Sequence, residues 1–314
     1  MDHFLFFIQE LFLLYSIALL GYILRKQKVL PTRTEKVLTA IILNVTLPAL
    51  ILFGMDVSFS VENLKQFGWL SFLSAFVLLL SSFIASISVK KIKPPKLQRN
   101  ALEGIMIFGN QGFLGIAVCL LLFGKEGVLY GTFYNFVYLL IIWSYAIYLF
   151  ARDSDALKWR NIFLNSGILA TLTGFIFMLL PGTLPPGLSS TLEMVGKPTV
   201  PLSMLLIGSL LGTLSVREIK HFLQNKWLWL ASFYKLILFP LLLIPFTIFS
   251  IPFPILAAAI LIAGMPSAPT ISMYAERYGE DAAFAAAGAA LSTLLSCFTI
   301  PALYGLLLVI SSLS

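Results

Sequence analysis

Charge is what this chain has least of. Only 11% of its 314 residues are Asp, Glu, Lys or Arg, where a soluble domain carries about 25%. Cysteine is nearly absent too. Cys119 and Cys297 both stand in apolar segments, which excludes a disulfide framework and a thiolate metal site. The two histidines, His3 and His221, lie far apart in sequence, too few and too distant for zinc. No GxxxxGK[ST] loop occurs, so by that signature the chain has no ATP engine. HExxH and GxSxG are missing, and no two carboxylates meet at mid-membrane. An intramembrane hydrolase needs one of these constellations, so the sequence does not read as an enzyme. Nothing in it calls for a cofactor or a metal.

What remains is apolar. Residues are 59% hydrophobic and the mean hydropathy is +0.95. At about 20 residues per span, the length predicts an all-α integral membrane protein of ten transmembrane helices. Their approximate bounds are 4–24, 36–55, 67–89, 101–123, 127–150, 162–180, 192–214, 227–249, 253–274 and 282–310. The loops after the odd-numbered spans hold 17 of the 21 Lys and Arg residues. Positive charge gathers on the cytoplasmic side, so both termini are expected outside, in the cytoplasmic membrane. The net charge of +7 therefore reads as topology, with a lipid bilayer and not nucleic acid as partner.

Two spans carry helix-breaking residues near their middles. Span nine contains Ala263-Gly264-Met265-Pro266-Ser267-Ala268-Pro269-Thr270. Each proline removes a backbone N–H and clashes with the preceding turn. Span four contains Phe108-Gly109-Asn110-Gln111-Gly112-Phe113-Leu114-Gly115. Bare backbone survives at membrane depth only where protein buries it or it lines a wet cavity, and secondary transporters build binding sites from such breaks. The structural alternative is a kink that only shapes packing. Asn110 and Gln111 would supply neutral donors and acceptors beside the first break, Ser267 and Thr270 beside the second. Lys235 is the one basic residue well inside a span; it reads either as a site cation or as a snorkelling side chain. The acidic residues nearest mid-span, Glu10 and Glu193, lean toward the outer ends, and the role of Glu10 stays open.

The two breaks are 155 positions apart, from Gly109 to Gly264. Thr46-Leu47-Pro48 and Thr199-Val200-Pro201 match at an offset of 153, as do Leu19 to Ile23 and Leu172 to Ile176. A duplicated five-helix unit is expected, over 1–150 and 161–314, joined by a cytoplasmic link at 151–160. Five is odd, so the second copy is inverted and broken helices four and nine cross. Pro48, Gly109, Gly115, Pro201, Gly264 and Pro269 are the expected helix-break positions.

Four segments carry a resemblance: Asn44 to Leu50 (NVTLPAL), Phe108 to Gly115 (FGNQGFLG), Met265 to Asp281 (MPSAPTISMYAERYGED) and Ser292 to Pro301 (STLLSCFTIP). The chain resembles the auxin efflux carrier family, which includes plant PIN proteins and bacterial malate permease-like transporters. The resemblance implies a fold similar to the bile acid:sodium symporters, with elevator-like movement of one helix bundle. It also implies a substrate carboxylate held at the crossing, where Asn110 and Met265-Pro266-Ser267 match the family's crossover positions; Gln111, Gly112, Thr270, Asn44 and Lys235 are added as substrate-binding candidates. There are departures. Ile116 and Ala117 stand where the family often has a proline, and the plant proteins' carboxylate in span three has no counterpart here.

The expectation is a secondary transporter of a small organic anion, for efflux or uptake, driven by sodium, by protons, by antiport or by facilitated diffusion alone. A sodium-coupled organic acid symporter is one alternative; a non-transporting sensor or a channel of the same fold is another. The alanine-rich opening of span ten suits packing within one protomer or across a homodimer.

Overall fold

A computed structural model describes residues 2–31, 33–150, 166–179, 182–215 and 222–313. The expected link at 151–160, the start of span six and His221 lie outside these residues. Every named element among the described residues is helical. In chain order they are α1 (Asp2–Lys26), α2 (Thr34–Gly54), α3 (Val61–Ile92), α4 (Arg99–Ile107), α5 (Gln111–Phe150) and α6 (Ser166–Leu179). Then follow α7 (Pro186–Thr213), α8 (Lys226–Ile248), α9 (Phe253–Ala263), α10 (Thr270–Arg277) and α11 (Ala282–Leu313).

Seven of these helices are long and apolar enough to cross a membrane. Large apolar side chains such as Phe12, Leu79 and Phe298 are exposed along them, as suits lipid and not water. The molecule is a multi-pass membrane protein. The 40-residue α5 is not one straight rod. Gly124 has φ 58°, and a Cβ on Gly131 would lie 3.0 Å from the Ile116 side chain. Fifteen residues of straight helix would hold those positions about 22 Å apart. The chain therefore folds back at Gly124 into two arms.

The chain forms two compact units, each drawing on both halves of the sequence. The first comprises Met1–Ser71, Gly112–Leu139 and Arg160–Thr213. In it α1 lies against α7 at backbone distance: Gly208 faces the Ala18 carbonyl and Gly21 the Leu205 carbonyl. Any side chain there would force the helices apart. Arg25, Glu35 and Ser209 join the same helices, with Ser209 Oγ donating to Glu35 Oε1 at 2.7 Å. Asp56 is buried; its carboxylate accepts from Leu184 N–H and Ser189 Oγ and lies 3.7 Å from Lys125 Nζ.

Pro48 and Gly115 do not break a helix, whereas the helical stretch before Pro201 ends at Gly196 and resumes at Thr199. Pro48 stands in the first turn of Leu47–Gly54, and α2 runs on through it. The turn before it, Ile42–Thr46, widens into a π-helix, which makes room for the ring and removes the need for its N–H. Pro201 is the third residue of the helical stretch that opens at Thr199, where a proline forfeits no intrahelical bond. Gly115 closes a wide turn, Gln111–Gly115, that leads straight into Ile116.

The second unit comprises Phe72–Gln111, Leu140–Trp159 and Leu214–Ser314. Its interior is the most apolar part of the chain. α9 is buried from Ile255 to Ala263, and alanines on α11 let α4 and α10 approach. Asp281 caps α11 by accepting from Phe284 N–H at 2.9 Å. Its other oxygen accepts from Gln98 Nε2 at 2.9 Å, while its own N–H donates to the Leu97 carbonyl. The turn before α11 is thereby tied to the entry of α4.

Candidate functional site at the crossing of two broken helices

The second unit holds two interrupted helices face to face. α4 ends at Ile107, and Phe108 turns extended with φ −89° and ψ 115°. α9 ends at Ala263, capped by Gly264, and α10 resumes at Thr270 behind Pro269. The two gaps pair with each other. Gly109 and Ser267 form an antiparallel bridge. Asn110 N–H donates to the Pro266 carbonyl at 2.6 Å, and Ala268 N–H to the Phe108 carbonyl at 2.9 Å. The backbone groups freed by glycine and proline thus satisfy one another, which is how irregular chain is tolerated away from water.

Side chains lock the pairing. Ser267 is buried; its Oγ donates to the Ile105 carbonyl at 2.6 Å, and its N–H donates to Ser292 Oγ at 3.0 Å. Ser292 in turn donates to the Gly288 carbonyl on α11. Neither Ser292 nor the Ile105 carbonyl was singled out from the sequence. Ser292 opens one of the segments that carry the family resemblance, and that was its only signal.

Lys235 comes to the same place. It lies on a π-helical turn of α8, Tyr234–Leu238, and is buried to 2% exposure. Its Nζ donates to the Ala263 carbonyl at 2.8 Å, the last residue of α9. The missing side chain of Gly109 makes room for it: a Cβ there would lie 2.7 Å from Lys235 Cε and 2.8 Å from Nζ. An ammonium at a helix C-terminus meets the negative end of the dipole. No carboxylate of the described residues lies within ion-pair distance of it. Burying an ion costs several kcal/mol, while one charged hydrogen bond and a helix terminus return about 2–5 kcal/mol. A group of opposite charge would close the difference.

Asn110 is the other polar side chain at this point. It is 5% exposed, and its side-chain amide makes no hydrogen bond with a described residue. The Thr270 hydroxyl, at the start of α10, is likewise buried without a partner. Gln111 is buried beside Asn110, and Met265 and Pro266 line the paired strand. Asn110, Gln111, Met265, Pro266, Ser267, Thr270 and Lys235 therefore all fall within one compact unit. Gly112 and Asn44 belong to the other. Asn44 is exposed there and donates to the Ala40 carbonyl of its own helix at 2.9 Å.

Glu10 is half-buried, and Glu193 pairs with Lys197 at 2.7 Å on the same helix. Besides Asp56, the buried carboxylate among the described residues is Glu103, which accepts from Tyr145 Oη at 2.8 Å. Its place at the rim of an apolar run hid it in the sequence.

A family model described as membrane transport protein matches residues 6–159 and 156–304. The chain belongs to the membrane transport protein family. This is the family of the auxin efflux carriers, as the four sequence segments imply. An uncharacterized transporter of Methanothermobacter thermautotrophicus is 26% identical over 294 residues, covering 91% of this chain and 93% of its own. An uncharacterized transporter of Methanocaldococcus jannaschii is 26% identical over 234 residues, covering 71% and 73%. The membrane transporter thus combines a family-wide sequence match with a buried crossing that holds a lysine with no carboxylate of the described residues beside it.

Proposed function

We propose that this membrane transporter carries a small organic anion, a carboxylate by preference, across the cytoplasmic membrane, and that the anion binds at the crossing of the two broken helices. The observation that carries the reading is the buried Lys235 Nζ, which has a backbone carbonyl for company and no carboxylate of the described residues. A carboxylate would supply the missing charge. The Asn110 amide and the Thr270 hydroxyl, both without partners among the described residues, would take up its oxygens.

The chain would cross the membrane ten times as two inverted five-helix repeats with both termini outside. The 17 of 21 basic residues on one set of loops support that orientation. The fold-back at Gly124 supports counting spans four and five separately. Transport would proceed by elevator-like alternating access. In its favour, the charged group and both gaps share one compact unit, so they would travel together. No cofactor enters the scheme.

The test is uptake of labelled malate, with other small carboxylates beside it, into proteoliposomes holding the purified protein. Asn110→Ala is expected to abolish most of the uptake while the protein still elutes as a folded species, because the substitution removes a polar partner from the crossing and no protein hydrogen bond of its side chain. Uptake at the wild-type rate in that variant would remove Asn110 from the site. Carboxylate binding without flux in any gradient would make the protein a sensor of the same fold.

A further inference from the structure

Crossings of this kind hold an anion at half-helix N-termini and a cation at half-helix C-termini and freed carbonyls. In this protein the Lys235 Nζ stands at such a C-terminus. α9 ends in four carbonyls with no helical successor. Gly264 N–H caps that of Ile260 and Met265 N–H that of Ile262. The Ala263 carbonyl receives the Lys235 ammonium at 2.8 Å. The ammonium occupies the space that Gly109 leaves open, with the Met265 carbonyl 3.1 Å from where a Cβ would stand. A backbone carbonyl, a helix C-terminus and a glycine-lined space are the surroundings of a small-cation seat. Here the cation is tethered to α8 and cannot leave.

We propose that the Lys235 ammonium is a resident cation that takes the place of a coupling sodium ion at this crossing, so that the anion binds without sodium. The inference rests on the reading that an anion occupies the crossing. Three observations carry it together. The Ala263 carbonyl is engaged by the Lys235 Nζ. The donor is buried and fits only because residue 109 is glycine. No carboxylate of the described residues is placed to hold a second cation beside it. The ammonium has three N–H donors, and the Ala263 bond uses one, which leaves donors for a carboxylate. Because Lys235 and both gaps belong to one unit, the charge that neutralises the anion moves with it.

The experiment replaces sodium by choline at equal ionic strength on both sides of malate-loaded and malate-free proteoliposomes, and measures the apparent affinity for labelled malate. The wild-type protein is expected to give the same affinity in both salts, within about twofold. Lys235→Ala opens the seat. It is expected to lose about tenfold or more in affinity, equal to 1.4 kcal/mol, and to recover in part when millimolar ethylammonium or sodium is added. A wild-type affinity that rises tenfold with sodium would overturn the proposal, as would a Lys235→Ala protein that binds malate as well as wild type. Melting temperatures in sodium, choline and ethylammonium provide a second arm that needs no cargo. Wild type should be indifferent to the cation, and Lys235→Ala should be stabilised by ethylammonium or sodium. If no carboxylate enters wild-type vesicles in any salt, the transport reading fails and this arm alone decides the cation seat. If Lys235→Ala does not fold, Lys235→Met and the wild-type salt exchange still decide it.

Discussion

Replacing Gly109 with alanine tests whether the lysine position depends on a missing side chain. The new Cβ would stand 2.7 Å from Lys235 Cε and 2.8 Å from Nζ, with the Met265 carbonyl at 3.1 Å on another side. Ordinary carbon contacts are about 3.5–4.0 Å, so the end of the lysine must retreat by roughly 1 Å. The backbone cannot easily yield instead, because Phe108 and Asn110 are both bonded across the gap. A retreat of that size stretches the 2.8 Å bond to Ala263 beyond hydrogen-bonding range. A hydrogen bond to a charged group is worth about 1.5–3 kcal/mol, so misplacing the ammonium should weaken carboxylate affinity roughly 10- to 150-fold. The assay is concentration-dependent uptake of a labelled carboxylate in proteoliposomes, with thermal unfolding in parallel. Gly68→Ala is the control, since a Cβ there meets nothing within 4 Å. A Gly109→Ala protein with unchanged affinity and unchanged melting temperature would refute the steric argument.

Two further predictions concern the frame around the crossing. Ser267→Ala removes the 2.6 Å bond to the Ile105 carbonyl, worth about 1 kcal/mol net; the melting temperature should fall by a few degrees, and Ser267→Thr should restore part of it. Equal stability of Ser267→Ala and wild type in a thermal-shift series would count against this bond as a lock. Glu280 lies in the turn before α11, where burial holds its carboxyl above the ordinary 4.5 against the pull of the Asn100 hydrogen bond. The folded state then binds the proton more tightly than the unfolded one, so this group's contribution to stability declines as pH rises from 4.5 through the folded value. Glu280→Gln should flatten that decline, and a pH–stability curve identical to wild type would show that the carboxyl does not titrate there.

Composition and periodicity determined a great deal. The scarcity of charge and the length of the apolar runs required membrane helices, since hydrocarbon tolerates little else. Gly109, Gly264 and Pro269 stand in real gaps because each acts locally, through a missing side chain or a missing N–H, and local effects are written in the sequence. Pro48 and Pro201 show where local reasoning stops. Both carry the same missing N–H, yet a widened turn lets α2 run on through Pro48, while α7 is interrupted between Gly196 and Thr199 just before Pro201. Whether a proline breaks a helix depends on where the turns begin, and packing decides that. The offset of 155 led to the expectation that the two broken helices cross, but the hydrogen bonds that pair Phe108-Gly109-Asn110 with Pro266-Ser267-Ala268 are written in no spacing. The same holds for Lys235 on Ala263, for Ser292 beneath Ser267 and for Glu103 beside Tyr145. The sequence by itself determined that this is a membrane protein with two interrupted helices and one lysine among apolar residues. Only the tertiary structure decided that the interruptions pair and that the lysine lies between them, because long-range hydrogen bonds and the space left by one glycine belong to the folded chain alone.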